Sequence, residues 1–288
     1  MSAFVWVVAV ICLGCAPTLR SQSGLPASPS FESGVLPLRW TDQNSDCAHA
    51  PAFRVHEYNP TFFILRQSGC THFEKPFLYL LLGSKEALLV DTGARGADIS
   101  KTVGELVCRK SAHEENPLPL LVVHSHGHGD HTAGDTALRG RAATRVIAAQ
   151  PQAIMEHFGL KNWPAEIAQY DLGNRVAIYD RRTGILLTGD TLYPGRLYVR
   201  DRRAFVESID RLVDFTRTRG VTHLLGAHIE NTRTPYLDYP EGTTFQPEEH
   251  GLELGRAHLL ELQEALRQMG DHLERRSFRD FTVWPIVP

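Results

Sequence analysis

Short apolar runs separated by turn residues predict a series of β-strands in this chain. Two runs within residues 53–66 are interrupted by Asn59-Pro60, which predicts two strands joined by a turn. The runs at 77–82 and 87–90 flank a Gly-Ser-Lys-Glu sequence that is typical of a hairpin. The continuous apolar run at 118–123 is typical of a strand buried on both faces. Later runs predict strands at 144–148, 176–179, 185–187, 221–225 and, at a sheet edge, 281–287.

Apolar residues at helical spacing predict four helices between these strands. The clearest helix covers residues 201–217, where Phe205, Ile209 and Leu212 follow one side. Strand-rich halves that are each followed by helices indicate a single α/β domain, with sheets sandwiched between helices. No segment repeats with a period of about 20 to 50 residues, which argues against solenoids and propellers. The other three helices are predicted over 97–108, 151–158 and 252–269.

Composition and charge narrow the class of protein without indicating a reaction. Hydrophobic residues make up 42% of the 288 positions and charged residues 22%, as in ordinary folded domains. The net charge is −3, and no run of like charges forms a tail. The chain therefore lacks the basic stripe expected of a nucleic-acid-binding protein, and we expect no nucleic acid partner.

The amino-terminal residues differ in kind from the rest. The first 17 residues contain no charged side chain, and their apolar run is too short to span a bilayer. We therefore predict a signal peptide over residues 1–20 and an exported protein, whether periplasmic, secreted or lipid-anchored. The segment Leu13-Gly14-Cys15 resembles the end of a bacterial lipoprotein signal, which implies membrane attachment through a lipidated Cys15. Residues 21–45 are predicted to be a flexible tether to a domain at 46–288.

Three cysteines lie beyond the predicted signal, at positions 47, 70 and 108. They allow three different single pairs and always leave one thiol over, so they do not form a disulfide framework. Cys108 lies in a predicted helix. If the chain is exported, the pair of Cys47 and Cys70 is therefore the first to test.

The segment from residue 126 to residue 131 carries the strongest chemical signal in the sequence. Three imidazoles and one carboxylate, from His126, His128, Asp130 and His131, fall within it at the exit of a predicted strand. Imidazole and carboxylate are the usual zinc ligands besides thiolate. His126 and His128 point to the same side of an extended chain, so they can share one ion. Asp130 and His131 follow where the chain turns, and they can face a second ion.

The run His126-x-His128-x-Asp130-His131 resembles the HxHxDH signature of the metallo-β-lactamase superfamily, which includes glyoxalase II-like thioesterases, lactonases and β-lactamases. The resemblance covers roughly residues 53–235. It implies an α/β fold, the αβ/βα four-layer sandwich, in which two metal sites lie at one edge of paired sheets. It also implies that the first two histidines belong to the first site, and that Asp130 and His131 belong to the second.

Three more residues match the superfamily pattern. Asp190, in Leu-Thr-Gly-Asp-Thr, matches the carboxylate that bridges the two metals, and His228, in Leu-Gly-Ala-His, matches the last ligand of the second site. Asp91 matches an early aspartate that orients ligands. Without the resemblance, Asp190 could equally be a turn residue and His228 a buried histidine. The turn Asp91-Thr92-Gly93 also resembles that of retroviral-type aspartic proteases, but the second such carboxylate that they require is missing from the sequence.

The chain departs from the superfamily pattern at one position. Members usually carry another first-site histidine before the bridging aspartate, and residues 158–189 contain none. We predict that this turn was lost by deletion, which leaves the first site with two histidines and Asp190. The second site is complete, so we expect one or two zinc ions with preference for that site. His157 is predicted to be a surface or packing residue, and His124 a core histidine.

The resemblance implies a small-molecule substrate with an ester, thioester, lactone or β-lactam bond, which is hydrolysed by a water that zinc activates and Asp130 orients. Tyr193 and Arg196 follow the bridging aspartate closely and are candidates for lining the substrate cleft and holding an anionic group, although packing explains them equally well. The missing histidine favours an alternative function, that of a metal-binding but non-catalytic protein of the same fold. Retention of the other site residues argues against complete decay.

Overall fold

The computed structural model describes residues 30–40, 47–110, 118–159 and 176–286. Its largest sheet has six strands whose spatial order follows the chain. The first four strands pair antiparallel, and the last three pair parallel with one another. These strands are β1 (Phe53–Asn59), β2 (Phe62–Gln67), β3 (Phe77–Leu82), β4 (Ala87–Val90), β5 (Leu120–Val123) and β6 (Thr144–Val146).

Two smaller sheets complete the β-structure of the described residues. One contains β7 (Ile178–Asp180), β8 (Ile185–Gly189), β10 (His223–Gly226) and β11 (Glu253–Leu254), in the spatial order β11-β10-β8-β7. The other contains β9 (Arg196–Val199), β12 (Arg276–Ser277) and β13 (Thr282–Pro285), in the order β12-β13-β9. The pairs β8–β10 and β9–β13 are parallel.

Helices cover both outer faces of the two larger sheets. They are α1 (Ile99–Lys110), α2 (Gly129–Thr132), α3 (Asp135–Leu138), α4 (Pro151–Phe158), α5 (Arg202–Arg217) and α6 (Arg256–Met269). The Asp201 carboxylate caps α5 by accepting a hydrogen bond from Ala204 N at 2.9 Å. None of the helices in the described part of the chain combines the length and apolarity needed to cross a bilayer.

The alternation of side chains along the buried strands builds the layers. In β3, Tyr79 joins the core between the two larger sheets, whereas its neighbour Leu80 joins the core beneath α1. In β8, Leu187 joins the core between the sheets, and Leu186 packs with α5 and α6. The layers are therefore α1, the six-stranded sheet, the four-stranded sheet, and the pair α5 and α6. This order confirms the predicted αβ/βα four-layer sandwich.

The structure corrects two predictions about elements near the carboxyl terminus and adds one strand that was not predicted. The helix predicted from residue 252 begins at Arg256, because β11 pairs with β10 and Gly255 caps the helix. The strand β13 lies at the centre of its sheet, between β9 and β12, and not at an edge. The strand β9 was not predicted, because its partner β13 lies more than 80 residues later in the chain.

Part of the segment 30–40, which lies within the predicted tether, contacts the domain. Trp40 is only 2% exposed and is part of the core between the sheets. Val35 N donates to the carbonyl oxygen of Tyr58 in β1 at 3.0 Å. The buried Trp40 and an available strand carbonyl hold this segment on the fold, whereas Val35 and Leu38 are exposed. The predicted signal peptide and the rest of the predicted tether lie outside the described residues.

A disulfide joins Cys47 to Cys70, with 5.3 Å between their Cα atoms. This confirms the pair chosen from the sequence. Cys108 is a free and exposed cysteine in α1. The bond ties the segment that follows Trp40 to the loop between β2 and β3.

Replacing Cys47 and Cys70 together by serine is expected to lower the free energy of unfolding by roughly 3 kcal/mol, because a crosslink over 23 residues restricts the unfolded chain. Urea unfolding followed by circular dichroism measures the change. Cys108→Ser, at an exposed position outside the bond, is the matched control and should leave the midpoint unchanged. Equal midpoints for the double variant and the parent protein would contradict the prediction.

Candidate metal centre

The carboxyl ends of four strands meet at one edge of the sandwich. Asp91 follows β4, residues 124–131 follow β5, Asp190 follows β8, and His228 lies two residues beyond β10. The ends of β4 and β5 lie side by side because the two strands are parallel, and the same holds for β8 and β10. Residues that are far apart in the sequence therefore share one location.

A first group of side chains consists of His126, His128 and Asp190, whose nearest ligand atoms all lie within 4.8 Å of one another. The Nε2 atom of His126 lies 2.8 Å from His128 Nδ1 and 3.3 Å from Asp190 Oδ2. The other ring nitrogen of His126 lies 3.1 Å from the hydroxyl of Ser125. Two imidazoles and one carboxylate form a donor set that catalytic zinc sites use, with a fourth position left for water.

A second group consists of Asp130, His131 and His228. The Oδ2 atom of Asp130 lies 3.0 Å from His131 Nε2 and 3.2 Å from His228 Nε2. Each histidine has a separate partner for Nδ1: Asp91 Oδ2 at 2.8 Å for His131, and the carbonyl oxygen of Glu74 at 3.1 Å for His228. These contacts turn both Nε2 atoms toward the carboxylate, as in histidines that bind metal.

Asp190 lies between the two groups. Its Oδ2 atom faces His126, and its Oδ1 atom lies 3.4 Å from the Nε2 atoms of both His131 and His228. This is the arrangement of a bridging carboxylate. Gly189 makes the approach possible: it has a φ of 52°, and a Cβ there would lie 2.7 Å from the Cβ of Ser125.

The buried polar atoms of the site fit a divalent ion such as zinc. Among the described residues, His131 Nε2 and Asp190 Oδ1 have no hydrogen-bond partner of acceptable geometry, although both atoms are buried. Buried polar atoms are nearly always paired. An imidazole lone pair and a carboxylate oxygen are donors that zinc accepts, so the residues present suit one or two ions.

Opposite charges outweigh burial in the second group. Burial opposes protonation of His228, but the carboxylates of Asp190 and Asp130 raise its pKa to about 10. Burial likewise opposes ionisation of Asp190, but the neighbouring histidines hold its pKa well below its usual range. Burial also opposes ionisation of Asp130, but His131 and His228 hold its pKa well below its usual range. The carboxylates of the centre therefore attract positive charge, which a metal ion can supply in place of protons on the histidines.

Asp91 orients the second group through Nδ1 of His131, the ring nitrogen that does not face Asp130. It accepts hydrogen bonds from Ser125 N at 2.7 Å and from the Ser125 hydroxyl at 2.8 Å, in addition to its contact with His131. Its backbone has a φ of 65°, a left-handed conformation that aspartate tolerates better than most residues. These partners are those of a carboxylate that positions a histidine, and not of a protease dyad in which two carboxylates share a proton.

A scan against protein-family models and a search of curated proteins each gave no match. Among solved structures, similarity is found to the metallo-β-lactamase from Pontibacter korlensis, with 16% identity, 75% of this chain and 99% of that chain covered, and a TM-score of 0.48. The metallo-β-lactamase FIM-1 from Pseudomonas aeruginosa in its mono-zinc form gives 13% identity, coverages of 76% and 96%, and a TM-score of 0.48. For the metallo-β-lactamase from Hirschia baltica these values are 11%, 62%, 91% and 0.41.

Because these identities and TM-scores are low, the assignment depends on the topology and the ligand geometry of this chain. The layer order and the position of Asp190 between two histidine groups decide it. The chain has the metallo-β-lactamase fold. The resemblance stated from the HxHxDH run is confirmed at this level, since the residues it implied at the edge of the fold are brought together.

The two residues predicted to line a substrate cleft are both buried. Arg196 is buried and donates hydrogen bonds to Glu230, Asp238 and the carbonyl oxygen of Tyr239. Tyr193 is also buried, and its hydroxyl donates to the carbonyl oxygen of Arg196. Both side chains make these contacts inside the metallo-β-lactamase fold, and the ring of Tyr193 also lies 5.5 Å from that of His228. That the two side chains line a substrate cleft stays a prediction.

The two other histidines considered from the sequence lie outside both ligand groups. His124 is 2% exposed, and its Nε2 atom lies 3.2 Å from Asp135 Oδ1, so it is a core histidine as predicted. His157 lies in α4, where its ring contacts that of Phe158. The residues in which the superfamily histidine was sought, 158–189, are described only in part.

Sequence reasoning missed two residues of the centre. The Ser125 hydroxyl lies within 3.2 Å of Asp91 and of the Nδ1 atoms of His126 and His131. Glu74 contributes its backbone carbonyl, which accepts from His228. A backbone contact of this kind leaves no signal in the residue type, and a serine between two histidines has too many other meanings.

Asp91→Asn is expected to weaken zinc binding by about 10- to 100-fold, because the neutral amide no longer fixes the charge and tautomer of His131. Asparagine accepts the same backbone conformation, so the fold should be retained. Competition with a chromophoric chelator measures the affinity, and circular dichroism checks the fold. A folded variant with unchanged zinc affinity would show that Asp91 does not orient the ligand.

Proposed function

We propose that this chain is a zinc-dependent hydrolase that cleaves an ester, thioester, lactone or β-lactam bond. One observation carries the proposal: the two oxygens of Asp190 face two different groups of candidate ligands. Paired metal positions joined in this way recur in enzymes that hydrolyse stable bonds. The arrangement also lies at an edge of the sandwich, where strand ends leave room for variable loops.

Different side chains would have different roles in such a reaction. When bound, zinc supplies a water that is activated near neutral pH and polarises the carbonyl of the substrate. His126, His128 and Asp190 would hold one ion and leave a position open. Asp130 stays ionised because its pKa is held well below its usual range, so it can accept a hydrogen bond from the attacking water and orient it. His131 would keep its ring orientation through Asp91.

The missing first-site histidine is compatible with catalysis on this geometry. Two histidines and one carboxylate already match the three-ligand sets of catalytic zinc sites. The second group has the larger donor set, since Asp130, His131 and His228 are joined by one oxygen of Asp190. We therefore propose that the second group binds zinc more tightly than the first.

A substrate screen tests the hydrolase. The purified protein is assayed with one ester, thioester, lactone and β-lactam substrate each, with zinc and after treatment with a chelator. We expect hydrolysis of at least one class that is lost with the chelator and restored by zinc. Asp130→Asn should reduce kcat by about 100-fold or more, in the range lost when a positioned proton-transfer group is removed.

The same experiment addresses the second candidate function. A protein that binds zinc stoichiometrically but hydrolyses none of the four classes would support a metal-binding, non-catalytic role and would contradict the hydrolase. Arg196 is buried and donates to Glu230, so this predicted anchor for an anionic substrate is already occupied by contacts within the protein. This observation favours the non-catalytic candidate.

We also propose that the protein is exported. The disulfide between Cys47 and Cys70 supports this, because such bonds persist mainly in oxidising compartments. The uncharged amino-terminal run supports it independently. Fractionation of expressing bacterial cells tests export, and Cys15→Ser tests lipid attachment: protein that stays in the membrane fraction after this change is not held by a lipid on Cys15.

A further inference from the structure

A cavity of about 110 Å³ is lined in part by the disulfide of Cys47 and Cys70. None of its lining residues belongs to either group of candidate metal ligands. The two cysteines are exposed and lie at the rim, whereas Trp40, Arg66 and Lys75 are buried in the wall. The cavity is thus a separate feature that opens beside the disulfide and reaches buried polar side chains.

The wall of this cavity carries hydrogen-bond donors without acceptors. Arg66 is 4% exposed, and its Nη1 atom donates to both carboxylate oxygens of Glu249 at 2.6 Å. Its Nε and Nη2 atoms are buried and have no acceptor among the described residues. The indole Nε1 of Trp40 is likewise buried and has no acceptor among the described residues. Buried donors of this kind normally have a partner, so three of them around one cavity indicate an acceptor ligand.

Lys75 adds a positive charge to the same wall. It is 6% exposed, and its ammonium donates to the carbonyl oxygens of Phe73 at 2.7 Å and Thr243 at 2.5 Å. Burial and the nearby Arg66 lower the pKa of Lys75 to about 8. Its backbone has a φ of 46°, a left-handed conformation that is uncommon for lysine.

The charges of the wall do not balance. Glu249 offsets the charge of Arg66, and the lining of the cavity includes no aspartate or glutamate among the described residues. Lys75 therefore adds a positive charge beside the unpaired N–H donors. Charge-assisted hydrogen bonds from arginine and lysine are the usual means of holding carboxylates and phosphates.

We propose that this cavity binds a small oxyanion such as inorganic phosphate or the carboxylate of a small molecule. The size limits the ligand, because 110 Å³ is well below the roughly 300–1,000 Å³ of pockets for drug-sized molecules. The Nε and Nη2 atoms of Arg66 form one edge of the guanidinium and suit two oxygens of one anion. Trp40 Nε1 and the ammonium of Lys75 contribute the remaining donors.

The proposed site adjoins the metal centre through the chain. Lys75 follows Glu74, whose carbonyl oxygen accepts a hydrogen bond from Nδ1 of His228. An anion held by Lys75 would therefore steady the backbone that orients this histidine. The binding itself does not depend on the metal, because the two sites share no residue.

Isothermal titration of the purified protein with inorganic phosphate, at constant ionic strength, tests the proposal. Titrations are made with bound zinc and in the presence of EDTA, since phosphate could also bind the metal. We expect saturable binding of about one equivalent under both conditions. Lys75→Met should weaken it by about 10- to 100-fold, the range for a lost hydrogen bond to a charged group, and Trp40→Phe by about 3- to 10-fold.

Arg217→Met is the matched control, because it removes one exposed cation in α5 and changes the net charge as Lys75→Met does. Its phosphate affinity should equal that of the parent protein. Three results would overturn the proposal: no saturable binding, binding that EDTA abolishes, or equal affinity in the folded Lys75→Met variant. Phosphate binding that appears only after replacement of Asp42 and Asp46, the carboxylates that follow Trp40 in the sequence, would also overturn it, since the chain would then supply its own anion.

Discussion

Zinc binding by the Asp190→Asn variant is expected to be weaker by about 100-fold or more than that of the parent protein. The substitution keeps the shape of the side chain but removes the charge that faces both ligand groups. The effect should exceed the 10- to 100-fold loss typical of residues that only orient a ligand, because Asp190 would itself contact the ions. Competition with a chelator gives the affinity, and the metal content after dialysis gives an independent value.

Asp180→Asn is the control for this experiment. Asp180 is also a buried carboxylate, but it accepts a hydrogen bond from Thr183 in the turn between β7 and β8 and lies in neither ligand group. It should change stability without changing zinc affinity. If Asp190→Asn and Asp180→Asn affect zinc equally, the special position of Asp190 between the groups has no bearing on the metal.

Arg66→Met is expected to lower the free energy of unfolding by about 3 to 5 kcal/mol. Glu249 is 1% exposed and would keep its charge in the interior without the guanidinium that now lies 2.6 Å away. Removing one member of a buried ion pair leaves the other charge unpaired in the interior. This is far more destabilising than replacing both members by apolar residues. Urea unfolding measures the change in the metal-free protein, so that zinc does not contribute.

The paired substitution separates charge from packing. Arg66→Met combined with Glu249→Met should recover at least half of the lost stability, because no uncompensated charge then remains buried. If the double variant is as unstable as the sum of the two single variants, the loss arises from packing and not from the unpaired carboxylate.

Much of the fold was predictable because its signals are local. The apolar run of β3 and the hairpin to β4 were placed at the residues where the structure has them. The helix α4 also begins and ends as predicted, with Pro151 at its first turn and Gly159 in a left-handed conformation after it. In each case the residues that decide the conformation lie within the element or beside it.

The parts that were not predicted depend on partners far away in the chain. The strand β9 exists because it pairs with β13, and Arg196 is buried because Glu230 and Asp238 reach it from a later loop. The ion pair of Arg66 with Glu249 joins residues 183 positions apart. Neither residue type nor spacing indicates such a contact.

The candidate metal centre was predictable in part from local signals and in part only through the resemblance. The HxHxDH run is local and carries its own signal, whereas Asp190 and His228 were identified through the resemblance that the run implied. The structure places the ligand atoms of these residues within 3.4 Å of members of the run. The carbonyl of Glu74 and the hydroxyl of Ser125 were identified only from the structure, because each contacts a candidate ligand and is not one itself.

The most direct test of the central claim is anomalous diffraction at the zinc absorption edge, from crystals grown with one equivalent of zinc. We predict a strong peak among Asp130, His131 and His228, about 2.0 to 2.2 Å from their ligand atoms and within reach of Asp190. A single strong peak on other residues, with these four side chains unchanged and without an ion, would contradict the account.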